Sequence, residues 1–65
     1  MSVLYKIVEW CWNGVEYEPI ITYEDEDEEL VSEAYEKINP TKDNALVELY
    51  REDEEEVTRL KYKEA

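Results

Sequence analysis

Asp25, Asp27, Glu29, Glu33 and Glu36 fall at positions 1, 3, 5, 9 and 12 of an EF-hand calcium loop. Carboxylates at that spacing supply the hard oxygen ligands that calcium takes. But position 6, where such a loop turns sharply on glycine, is Leu30. The same stretch also carries an apolar helical stripe, which a calcium loop would break. No metal or cofactor is therefore expected. Cys11 is the other reactive candidate, and it is the only cysteine. Glu9, Glu16 and Glu18 lie near it in the chain, and an acidic neighbourhood raises a thiol's pKa and blunts it as a nucleophile. There is no histidine, and Ser32 is set among acids. The nucleophile–base constellation of covalent catalysis is missing, so the chain is not expected to be an enzyme. One cysteine excludes an intrachain disulfide. With no histidine as well, a structural zinc site is excluded.

What remains is the acids themselves. Nineteen acids face seven bases, for a net charge of -12. Such a chain repels nucleic acid and anionic membrane and attracts basic surfaces. The acids are clustered: Glu24 to Glu29 are six in a row, and Glu52 to Glu56 five more. Acids in a helix's first turn stabilise it by about 0.3–1 kcal/mol each, which accounts for Asp25 to Asp27. It does not account for Glu28 and Glu29, continued by Glu33 and Glu36, nor for the second run. The expected partner-binding surface is Glu26, Asp27, Glu28, Glu29, Glu33 and Glu36, with Glu52, Asp53, Glu54 and Glu55 as a second pole. Carboxylates so spread can imitate duplex phosphates, which carry one charge per about 1.7 Å of axis.

The elements that position these residues follow from patterning. Sixty-five residues make one domain, 1–65, with a small core. Residues 3–12 and 15–23 read as strands around Asn13-Gly14, the strongest short hairpin signal. A two-residue loop there pairs Trp12 with Val15, Trp10 with Tyr17, Val8 with Pro19 and Leu4 with Tyr23. One hairpin face then holds Leu4, Lys6, Val8, Trp10 and Trp12 with Val15, Tyr17, Pro19, Ile21 and Tyr23; it is apolar except for Lys6 and is expected to be the core. Pro19 calls for a bulge and an edge strand. The register also sets Glu9 against Glu18, a mildly repulsive pair. Leu30, Val31, Ala34, Tyr35 and Ile38 form the stripe of a helix over about 25–38. Asp25 is its expected cap, with Asp27 competing, and Asn39-Pro40 ends it. Residues 45–51 and 56–63 read as strands; the latter is ambiguous, since its composition also suits a helix capped by Asp53, but its alternation favours the strand. The expected fold is α+β: a four-stranded antiparallel sheet, ββαββ in the order 2-1-3-4, with the helix on one face.

In size, acidity, lone cysteine and strand–strand–helix–strand order, the chain resembles small phage-encoded proteins that inhibit host nucleic-acid enzymes or defence systems. No motif carries the resemblance, so no residue role is transferred with it. The expected function is a non-enzymatic, cytoplasmic binding protein for a basic, nucleic-acid-binding surface of another protein, as an inhibitor or DNA mimic. It would bind neither nucleic acid nor membrane directly. The alternative is an assembly module of a small phage or bacterial protein. It would homodimerise through an apolar patch of Val3, Tyr5, Ile7 and Ile20 on a naked sheet face, extended by Leu46 and Tyr50. Arg59, Lys61 and Lys63 would share that face and could pair with Glu48, or with acids of a second copy.

Overall fold

The computed structural model describes residues 2–65. The elements are β1 (Leu4–Trp12), β2 (Tyr17–Asp25), α1 (Glu28–Lys37), β3 (Asn44–Glu52) and β4 (Val57–Glu64). The strands form one antiparallel sheet in the order β2-β1-β3-β4, and α1 packs on one face. This is the predicted ββαββ arrangement, with the ambiguous last segment as a strand.

The hairpin register differs from the expected one by two residues. Trp12 pairs with Tyr17, Trp10 with Pro19, Glu9 with Ile20 and Val8 with Ile21. The cause is the Asn13 side chain. Its Oδ1 accepts the amides of Val15 and Glu16, both at 2.9 Å. An Asx turn of this kind competes with the type I′ turn. Only Gly14 has positive φ, at 99°. The turn is therefore centred one residue later, and Asn13 donates its amide to the Glu16 carbonyl. Asp53 builds the β3–β4 turn in the same way, accepting from Glu55 and Glu56 at 2.8 and 2.9 Å. The new register sets Pro19 opposite Trp10, with its nitrogen toward the open edge, where no donor is needed. The bulge lies further along, where Thr22 is inserted between the pairs Val8–Ile21 and Ile7–Tyr23. It carries Tyr23 to the Ile7 face. Glu9 no longer meets Glu18; it faces Ile20 and accepts from Asn44 Nδ2 at 2.7 Å.

The same small change decides which face is covered. In the expected turn, Trp12 and Trp10 would aim their backbone groups at β2. Here Asn13 does, and Trp12 sends its amide the other way, to the Asp43 carbonyl at 2.7 Å. The parity of β1 is thus reversed relative to its neighbours. The segment β2–α1–β3 joins two parallel strands with β1 between them, and such crossovers are right-handed almost without exception. With parity reversed, a right-handed crossover lands on the side of Ile7. The core is accordingly Ile7, Val31, Tyr35, Val47 and Leu49, with Tyr5, Ala34 and Ile38 packed against it. The expected core face, with Trp10 and Trp12, is the open one. The proposed naked patch of Val3, Tyr5, Ile7 and Ile20 is corrected in the same stroke. It belongs to the helix-covered side, where Ile7 is fully buried, while Leu46 and Tyr50 lie on the other.

The helix is shorter than expected. Asp27 is its cap, accepting the amides of Glu29 and Leu30 at 3.0 and 3.4 Å. Asp25, the last residue of β2, sits two residues earlier and accepts the Asp27 amide at 2.8 Å. Of the stripe, Val31 and Tyr35 are buried, but Leu30 is 46% exposed. At the C-terminal end, Lys63 Nζ donates to the Tyr35 carbonyl at 2.8 Å and lies 4.4 Å from the centre of the Tyr35 ring. That places a cation against the negative end of the helix. No helix among the described residues is long and apolar enough to cross a membrane.

Candidate interaction surface

The two acidic runs meet at one end of the molecule. β1 begins where β2 and β3 end: Tyr5 pairs with Asp25, and Leu4 with Glu52. The β2–α1 connection and the β3–β4 turn therefore project from the same edge of the sheet. Two strand spacings, about 10 Å, separate the end of β2 from that of β3. The second run is thus the other half of one pole, not a second pole. Glu24 to Glu29 and Glu52 to Glu56 gather eleven of the nineteen acids there, and among the described residues Lys6 and Arg51 are the only bases beside them. Nine of the twelve net negative charges lie at this end.

Within the pole the acids divide by role. Asp25 and Asp27 hold backbone amides at the helix start, and Asp53 holds them in the β3–β4 turn. The amides of Glu56 and Glu55, and then the Arg51 guanidinium, keep the Asp53 carboxyl below the ordinary aspartate range. Lys6 pairs with Glu52 at 2.7 Å, and Arg51 with Asp53 at 2.8 Å. Glu24, Glu26, Glu28, Glu29, Glu54, Glu55 and Glu56 are exposed and make no ion pair among the described residues. Glu33 and Glu36 lie down the helix and leave the pole. Glu36, eight residues from Glu28 and so about 12 Å along the axis, faces Lys61 at 3.4 Å.

The open sheet face is a second uncovered surface. Trp12, Tyr17, Ile21, Val57 and Tyr62 are exposed there, around half-buried Leu4, Val8, Trp10, Leu46 and Tyr50. At its centre Glu48 is only 3% exposed. Its Oε1 accepts from the Trp10 indole. Its Oε2 accepts from the Tyr50 hydroxyl at 2.8 Å and from Arg59 Nη1 at 3.1 Å. Burial opposes ionisation of Glu48, but these three donors and the Arg59 charge outweigh it, and its carboxyl sits below the ordinary glutamate range. Arg59 also lies 4.3 Å from the centre of the Tyr62 ring. Of the three bases expected near Glu48, only Arg59 reaches it. A bulge in the β3–β4 pairing leaves Lys61 and Lys63 on the helix side against Tyr35. Nothing in the period-2 pattern of β3 marks Glu48 as buried; the signal is that Trp10, Tyr50 and Arg59 all need an acceptor.

Cys11 is half-buried beside the β1–β2 pairing, and burial first, then Glu9 and Glu18, push its thiol up. The five EF-hand positions do not wrap a common point. Asp27 caps the helix, and Glu29, Glu33 and Glu36 run along it. Among the described residues no three His, Cys, Asp or Glu side chains gather as a metal site. A scan of protein-family models, a search of curated proteins and a search of solved structures each return no match to this chain.

Proposed function

We propose that this chain is a non-enzymatic binding protein whose acidic pole engages a basic, nucleic-acid-binding surface of another protein, as a competitor for that surface. The observation that carries this reading is the convergence of two acidic runs, distant in sequence, on one end. Repulsion among these groups opposes folding, and only Asp25, Asp27 and Asp53 among them hold the backbone in return. A small domain has little stability to spare. Charge concentrated in this way creates a local field that steers a basic partner and weakens with salt. The carboxylates stand in for phosphates, so a partner that grips a duplex through lysine and arginine would be occupied.

The test is capture from a bacterial lysate at low and high salt, with three proteins. One is the wild type. The second carries Gln at Glu26, Glu28, Glu29, Glu54 and Glu55. The third is a charge-matched control with Glu16, Glu18, Glu33, Glu36 and Glu64 changed to Gln. A nucleic-acid-binding protein should be retained at low salt by the wild type and the control, released as salt rises, and lost with the pole variant. Equal capture by the pole variant contradicts the proposal.

A further inference from the structure

We propose that the open sheet face is covered by a second copy of this chain. The dimer is face to face, with its two-fold axis running across the strands, so that the acidic poles lie at opposite ends. This does not rest on the acidic-pole function, and either can fail alone.

Three observations carry it. The first is the size of the core. Among the described residues only Ile7, Val31, Val47 and Leu49 are fully buried between helix and sheet, with Tyr35 nearly so. A chain this short without disulfide or metal usually needs association or unusually good packing to be stable. The larger apolar side chains, Trp12, Tyr17, Ile21 and Tyr62, are on the uncovered side, and Ile21 and Tyr62 are each 54% exposed.

The second is that the centre of the face is already satisfied electrically and in hydrogen bonding. Lys6 pairs with Glu52 and Arg59 with Glu48. The Trp10 indole and the Tyr50 hydroxyl donate to Glu48, and the Tyr17 hydroxyl donates to the Lys42 carbonyl at 2.7 Å. Unpaired polar groups are what make a surface expensive to cover. Here the central ones are paired within one copy, and the carboxylates without an ion pair among the described residues, Glu24 and Glu64, stand at the edges on β2 and β4. A strongly charged partner would find little on this face to pair with; an apolar face like itself fits it.

The third is area and charge placement. The molecule measures 39 × 23 × 14 Å, and the broad side is large enough for the about 800 Å² per partner of a standard interface. Facing sheets stand about 10 Å apart. A two-fold axis along the strands would bring both poles to one end at that separation, near the Debye length of about 8 Å at physiological salt. An axis across the strands moves the poles apart by the length of the molecule.

Sedimentation equilibrium over a range of protein concentrations tests the contact. The wild type should have twice the chain mass, dissociating on dilution. Ile21→Ser with Tyr62→Ser should be monomeric at the same concentrations, with unchanged circular dichroism. A wild type that stays monomeric at every concentration overturns the proposal, as does a double variant that dimerises like the wild type. For the orientation, a spin label on Glu54→Cys in a Cys11→Ser background should report a distance near the 39 Å length of the molecule. A distance under half of that overturns the placement of the axis.

Discussion

The acidic pole and the open sheet face are both uncovered, and they are built in opposite ways. The pole holds eleven acids with two bases among the described residues, and seven of its glutamates are exposed without an ion pair there. The centre of the open face is apolar, and the charges there are matched within the chain. One surface acts at a distance and is screened by salt; the other acts only on contact and is not. A net charge of -12 is therefore a poor description of this molecule. Most of the surplus is held at one end, and the centre of the broadest apolar surface is left neutral.

The largest expected effect comes from breaking the open face's self-sufficiency. Glu48→Ala removes the acceptor for Trp10, Tyr50 and Arg59 at once. Because the groups it orphans are partly solvent-accessible, the expected loss is about 2 kcal/mol of unfolding free energy, measured by denaturant titration. Glu48→Gln keeps an acceptor and should lose less. The two forms should also differ with pH. Folded Glu48 holds a proton less tightly than an unfolded glutamate. Its contribution is thus complete above the ordinary value of about 4.3 and fades as pH falls through the lower folded value. Acid also relieves repulsion at the pole in both proteins, so the difference between them isolates Glu48. A wild type and Glu48→Gln that fall in parallel would place the charge of Glu48 outside the stability of the sheet.

A smaller effect divides the pole itself. Asp27→Ala removes the helix cap and should destabilise by about 1 kcal/mol. Glu54→Gln with Glu55→Gln touches no hydrogen bond or ion pair in the turn and should stay within about 0.5 kcal/mol of the wild type. If the glutamate pair proves as destabilising as the cap variant, those acids serve the fold and lose their claim to a binding role.

Much of this was legible in the sequence. Strand alternation, the helical stripe and Asn39-Pro40 predict the five elements. A strand apolar on both sides predicts a central β1, and Pro19 an edge β2. The covered face was misread because of one turn. Asn13-Gly14 favours a type I′ loop by composition, yet the Asn13 side chain captures the next two amides and moves the turn by one residue. The more apolar hairpin face is then expected to be the core, which points to the wrong side, because crossover handedness and strand parity choose the covered face and apolar content alone does not. The gathering of the acidic runs follows from strand order alone. Glu52 to Glu56 links β3 to β4, Glu24 to Glu29 links β2 to the helix, and in the order 2-1-3-4 those ends coincide. The Glu48 site was less legible, since it joins residues 38 positions apart in the chain.

The contrast between the two surfaces is tested most directly by the salt dependence of binding to a captured and purified partner. The logarithm of affinity against the logarithm of salt concentration is compared for the wild type, the Gln-substituted pole variant and Ile21→Ser with Tyr62→Ser. The expected result is a steep slope for the wild type, a shallow one with weaker binding for the pole variant, and the wild-type slope retained by the open-face variant. The contrary result is a slope that survives neutralisation of the pole, or one that is lost with Ile21 and Tyr62.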